Sequence, residues 1–158
     1  MTDHPFWPVA LVTLLIVALV VVFHFEVIAA LNQHAHERKT RTRGHLNQHR
    51  HHHRPTLLIV MFVLLATHIV EIGLFGIAFW LLIDPTGAGA IIGSDRIGFW
   101  DLIYFSVTNY TTVGWGDLSS IGPLRILAGA EALLGFMLIT WSASFIYLVM
   151  ARTWGADD

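Results

Sequence analysis

Thr111-Thr112-Val113-Gly114-Trp115-Gly116-Asp117 is the stretch on which the reading of this chain turns. It follows an apolar run, residues 97–110, that is too short to cross a bilayer, because a span needs about 20 apolar residues. A short helix, a ribbon with glycine at alternate positions and a return to the same side describe a re-entrant loop. Such backbone is tolerated at membrane depth only where it is buried in protein or lines a water-filled path. Glycine at every second position allows φ > 0 without a Cβ clash, so successive carbonyls can face one way. Carbonyl oxygens aimed at one axis replace the hydration shell of a cation, and the Thr112 hydroxyl can add a ligand at the inner end. The preceding helix ends near Tyr110. Its C-terminal end carries about half a negative charge, which favours a cation waiting beneath the ribbon.

The surrounding sequence supplies the membrane. The chain has 158 residues, 55% hydrophobic and 13% charged, against about 25% charged in an ordinary soluble domain. Three long apolar segments, at 1–31, 57–83 and 123–151, are each sufficient for a transmembrane helix. The first has no Lys or Arg ahead of its apolar run, and the run exceeds a signal-peptide core, so it is expected to be a retained helix. Six of the nine Lys and Arg lie between Arg38 and Arg54, which assigns the connector 32–56 to the cytoplasm. The N-terminus is then outside, the ribbon at 111–117 faces outward and the C-terminus is cytoplasmic. Trp7, Trp80 and Trp100 fall at the outer boundary and Trp154 at the inner one, as an aromatic belt requires. The absence of Cys excludes disulfides, thiolate metal sites and a catalytic cysteine. A net charge of −2 argues against nucleic-acid binding. No nucleophile–base pairing, phosphate loop or H-E-x-x-H motif is present, so no enzyme is expected.

In this order of parts the chain resembles the pore module of potassium channels: outer helix, pore helix, T-T-V-G-Y-G-D filter and inner helix. Residues 57–152 follow that pattern, with an outer helix at 57–83, a pore helix at 98–110, the filter at 111–117 and an inner helix at 123–151. The resemblance implies an all-α membrane protein with three transmembrane helices and a re-entrant pore loop per chain, assembled as a homotetramer in the cell membrane. It implies passive conduction of K⁺, with the ion held by Thr112, Val113, Gly114 and Trp115, and with Gly116 completing the filter. Thr111, Thr108 and Asp117 would support the filter, Asp117 from behind the outer mouth. Gly135 occupies the place of a hinge glycine, or simply allows close helix contact. Ile139, Ala143 and Tyr147, four residues apart on one face, would line the inner path.

Two positions depart from the family pattern. Trp115 stands where Tyr or Phe is usual; its carbonyl can still coordinate, but the larger indole needs a partner for its N–H. A weakly selective monovalent cation channel on the same scaffold is therefore the alternative. Thr108 stands where some members carry a Glu, so no carboxyl clamp to Asp117 is expected.

Seven of the ten histidines, His34, His36, His45, His49, His51, His52 and His53, crowd the basic connector. Clustered imidazoles titrate near neutral pH and suit divalent Zn, Ni or Cu. The plainer reading is a solvated basic segment that fixes topology and attracts anionic lipid headgroups. Within the spans, His68 and Glu71 are three apart on one helical face and can pair; His24, Glu26 and Glu131 are the other intramembrane ionisable groups. They are read as hydrogen bonds that fix packing, with a proton-sensitive gate as the alternative. A carrier handling metal through the His-rich connector, His68 and Glu71 is the rival from another class, and a non-conducting accessory subunit a further one. No cofactor is expected beyond K⁺ as the permeant ion. No segment carries Arg at every third position, so no voltage-sensor helix is expected, and no nucleotide- or calcium-binding domain is expected beyond the third span. Gating would have to arise in the filter, the helix ends, the connector or the lipid.

Overall fold

The computed structural model describes residues 6–42, 53–83 and 89–154. In chain order these form α1 (Phe6–Thr42), α2 (His53–Ile83), β1 (Ala90–Ile92), α3 (Phe99–Tyr110), β2 (Ser119–Ile121) and α4 (Leu124–Trp154). Three helical stretches, Phe6–His34, Leu57–Ile83 and Leu124–Arg152, are long and apolar enough to cross a membrane. Helix is the form that satisfies every backbone group within one segment, which hydrocarbon surroundings demand.

Both helices that flank the basic connector run into it. The expected loop 32–56 is therefore shorter than its composition suggested, since α1 continues to Thr42 and α2 begins at His53. Hydrophobic patterning ends at Leu31, but helix propensity does not. Gln33, Ala35, Glu37, Arg38 and Lys39 are all good helix formers, and no glycine occurs before Gly44. Pro55 falls in the first turn of α2, where its missing N–H costs nothing.

The segment between α2 and α4 also holds a small ribbon that periodicity did not announce. β1 pairs antiparallel with β2, Ala90 opposite Ile121 and Ile92 opposite Ser119. Three-residue strands are too short for an alternating pattern to be read. Gly93 ends the first strand at φ 123°, and a Cβ there would strike the Asp117 carbonyl. The ribbon thus closes directly on the last residue of the filter sequence.

Packing divides the long axis into two apolar regions. Val9, Val20, Phe75, Phe79, Leu102, Phe105, Leu124 and Leu127 belong to the larger one, near the ribbon. Ile28, Val60, Leu64, Phe145 and Val149 form the smaller one towards the other end. The basic ends of α1 and α4 meet beyond it, where Arg152 Nη1 donates to Asn32 Oδ1 at 3.1 Å. Residues 111–117 and the basic ends of α1 and α4 therefore sit at opposite ends of the bundle. α1 lies against both α2 and α4, as the His24–Glu71 contact and the rings of His24 and Phe25 beside Trp141 demonstrate.

Candidate functional site

The site is built on α3. Its N-terminus is closed by Asp101, whose Oδ2 accepts from the Gly98 backbone N–H at 2.7 Å. Its apolar face buries Leu102 and Phe105. Phe105 meets Phe79 edge-on at 5.1 Å, and Ser106 Oγ donates to the Ile72 carbonyl at 2.9 Å. α3 is therefore fixed along α2, and it stops at Tyr110, which is fully buried.

Beyond Tyr110 the backbone changes hand at alternate residues. Thr112 has φ 59°, Gly114 φ 53° and Gly116 φ 80°, whereas Val113 and Trp115 keep negative φ. Two hydrogen bonds hold this ribbon to α3: Thr112 N to the Asn109 carbonyl at 2.8 Å and Gly114 N to the Thr108 carbonyl at 3.0 Å. Thr111 Oγ1 donates to the Val107 carbonyl at 2.7 Å. Thr108 thus touches the ribbon through its carbonyl, while its hydroxyl is satisfied by the Phe105 carbonyl at 2.9 Å. A Cβ at Gly114 or Gly116 would meet nothing within 4 Å, so positive φ, not crowding within the chain, is what selects glycine there.

Residues 111–117 are exposed in the single chain, Val113 by 52% and Trp115 by 73%. Behind them lies a groove of about 440 Å³ bordered by Phe105, Thr108, Asn109, Gly114 and Gly116. The interaction of the Tyr104 hydroxyl with the Asp117 carboxylate, with a smaller contribution from burial, holds the phenol above its ordinary value of 10.0.

On α4, Ile139, Ala143 and Tyr147 are all exposed, Tyr147 by 69%. Gly135 faces the end of α3: a Cβ would overlap the Tyr110 carbonyl oxygen and lie 2.8 Å from its carbon and 2.9 Å from the ring's Cγ. Here glycine serves close approach of α4 to the base of the ribbon. Glu131, one turn earlier, is fully buried and accepts from Ser106 Oγ.

The ionisable residues read separately in the sequence converge. His24 Nδ1 lies 2.8 Å from Glu71 Oε1, and His68 Nδ1 lies 3.2 Å from Glu71 Oε2 and 2.8 Å from the Tyr110 hydroxyl. Tyr110 Oη donates to Glu71 Oε2 at 2.5 Å. Ser142 Oγ stands between both imidazoles, 3.2 Å from His24 Nε2 and 3.1 Å from His68 Nε2. This cluster lies between the two apolar regions and joins all four helices. Only the His68–Glu71 pair was visible as a spacing; the other partners are 39 or more residues away from Glu71 or His68.

Of the connector histidines, the described side chain of His34 does not join it. His34 Nδ1 pairs with the Ala30 carbonyl of its own helix at 2.9 Å. His36 and His53 fall on the helical backbone at the ends of α1 and α2, and His45, His49, His51 and His52 lie outside the described residues.

A family model described as "Ion channel" matches residues 57–152. The chain is also 35% identical, over 114 residues, to the inward rectifier potassium channel Kirbac3.1 of Paramagnetospirillum magnetotacticum. That match covers 70% of this chain but 36% of the relative, so the chain spans about a third of that relative's length. No solved structure matches it.

Proposed function

This chain belongs to the ion channel family, with a pore module of the potassium-channel type at residues 57–152, and from that membership we infer that it conducts K⁺ passively. It is a channel-family membrane protein, not an enzyme. In the proposed mechanism the carbonyls of Thr112, Val113, Gly114 and Trp115, with the Thr112 hydroxyl, replace water around a dehydrated K⁺. One chain contributes one wall, so four copies would surround the axis. The observation that carries this reading is the alternation of positive φ at Thr112, Gly114 and Gly116 immediately after a short buried helix. The exposure of the same residues in the single chain supports an assembly that covers them, because polar backbone is not left facing lipid. Placement of the basic helix ends opposite the filter supports an external filter and cytoplasmic connector.

Selectivity is the second reading to separate. Trp115 is 73% exposed and so draws little side-chain support from its own chain; a looser ring would admit Na⁺ as well. The test is ion flux from liposomes, comparing K⁺ with Na⁺, for the wild type and Gly114→Ala. At φ 53° an L-alanine costs about 1–2 kcal/mol, or about 4–8 kcal/mol over four copies. K⁺ flux is expected in the wild type and lost in the variant. Equal K⁺ and Na⁺ flux selects the weakly selective channel, and unchanged flux in Gly114→Ala overturns the carbonyl filter.

A further inference from the structure

The buried cluster of His24, His68 and Glu71 brings two imidazoles and a carboxylate together, and its hydrogen bonds depend on the tautomer of each ring. Ionised Glu71 only accepts, Tyr110 and Ser142 carry one hydroxyl hydrogen each, and each neutral imidazole carries one N–H. If both N–H groups point towards Glu71, both Nε2 lone pairs compete for the single Ser142 hydrogen. One nitrogen is then left unpaired inside the protein, at a cost of about 1–3 kcal/mol. If both N–H groups point towards Ser142, its Oγ accepts both, but both Nδ1 lone pairs then face the carboxylate oxygens at 2.8 and 3.2 Å. That second arrangement satisfies every Nε2 and leaves a pocket of three electron pairs aimed at one another. A cation closes it.

We infer that His24 Nδ1, His68 Nδ1 and the Glu71 carboxylate bind a divalent transition-metal ion of the Zn²⁺ class. One ligand atom from each lies within 4.8 Å of the other two. In a tetrahedral zinc site with bonds of about 2.0–2.2 Å, neighbouring ligand atoms stand about 3.4 Å apart, so small side-chain rotations complete the coordination. Two imidazole nitrogens and one carboxylate oxygen form a borderline-soft set that favours Zn²⁺, Co²⁺ or Ni²⁺ over Mg²⁺ or Ca²⁺. Ser142 supplies what metal-bound histidines require, an acceptor for the far N–H of each ring. Tyr110 donates to the same carboxylate and so orients it. Among the described residues, no Lys or Arg takes part in this cluster. Glu71 offsets one positive charge, and the C-terminal end of α3 adds about half a negative charge nearby. The His68 side chain, 16% exposed where His24 and Glu71 are sealed, provides the entry side. A bound ion would tie α1 to α2 directly, and through Tyr110 and Ser142 to α3 and α4. The site requires neither the connector histidines nor conduction.

The experiment uses the full chain with all seven connector histidines replaced by Gln, so that incidental capture by that segment is removed. It is loaded with ZnCl₂ and dialysed, and metal per chain is measured; CoCl₂ loading then reads coordination geometry from the visible spectrum. About one ion per chain and a four-coordinate Co²⁺ spectrum are expected. His24→Gln and Glu71→Gln in the same background should abolish both, with oligomer size and helix content checked by gel filtration and circular dichroism. Ser142→Ala should keep the site but weaken affinity about 10–100-fold, and it carries the test if His24→Gln fails to fold. Absence of retained metal in the connector variant overturns the proposal and leaves a proton as the missing cation. Undiminished retention after His24→Gln, or unchanged affinity after Ser142→Ala, overturns it equally.

Discussion

Gly135→Ala separates two roles for that glycine, a flexible hinge and a point of close contact. The added Cβ would overlap the Tyr110 carbonyl oxygen and stand 2.8 and 2.9 Å from two further Tyr110 atoms. Carbon contacts are comfortable at about 3.5–4.0 Å, so α4 must retreat from α3 by about 1 Å. Overpacking of this kind costs about 1–3 kcal/mol. The upper half of that range applies because the obstacle is backbone and cannot rotate away. Alanine returns about 1 kcal/mol through helix propensity, which leaves a net loss of about 1–2 kcal/mol per chain. For a chain of this size each kcal/mol moves Tm by about 2–4 °C, so a fall of about 2–8 °C is expected in detergent-solubilised protein. Gly73→Ala and Gly129→Ala are the controls, since a Cβ at either position meets nothing within 4 Å; both should hold or raise Tm. A hinge predicts the opposite pattern: altered opening with stability equal to or above wild type. A Gly135→Ala protein that melts with the controls would refute the close-contact argument.

Substitutions at two other positions probe the surroundings of residues 111–117. Glu131→Ala removes a fully buried side chain and the acceptor of Ser106, and should cost about 2–5 kcal/mol by thermal unfolding; Glu131→Gln keeps the volume and an acceptor and should cost well under half as much. Asp117→Asn removes the charge and weakens the acceptor that hold the Tyr104 phenol above its ordinary value. Its titration should therefore move to lower pH, towards 10, as read by tyrosinate absorbance; an unchanged or higher midpoint would contradict the Tyr104–Asp117 contact.

Much of the architecture was legible because membrane burial writes itself in long runs. The apolar segments and the brevity of 97–110 fixed the helix count, and alternate glycines at 114 and 116 marked where φ turns positive. Thr112 shares that backbone hand without being glycine, which residue type alone would not reveal. Helix ends were less legible. Polarity ceases to track secondary structure beyond Leu31, where propensity carries α1 to Thr42. The ribbon escaped because it depends on backbone pairing between segments far apart. So did the buried cluster. His68 and Glu71 lie on one face by spacing, but His24 and Ser142 are 118 positions apart and meet only once α1 is seated.

The seat of α1 also limits how copies can assemble. It meets α4 at Trp141, Ser142 and Arg152, and the apolar region to which Ile28 belongs includes Phe145 and Val149. On a helix these positions cover one side, and Ile139, Ala143 and Tyr147 fall on the other. The latter face is exposed, so a central axis can lie beside it without displacing α1. The reverse arrangement, with α1 facing the axis, would turn that face to lipid and bring the N-terminal helices together instead. Nor is α1 a detachable addition. Without it Glu71 would lose one of its three partners, and leaving a buried polar group short of a hydrogen bond costs about 1–3 kcal/mol. The two-helix pore of this chain is therefore energetically a three-helix unit, held together at the depth where α3 ends.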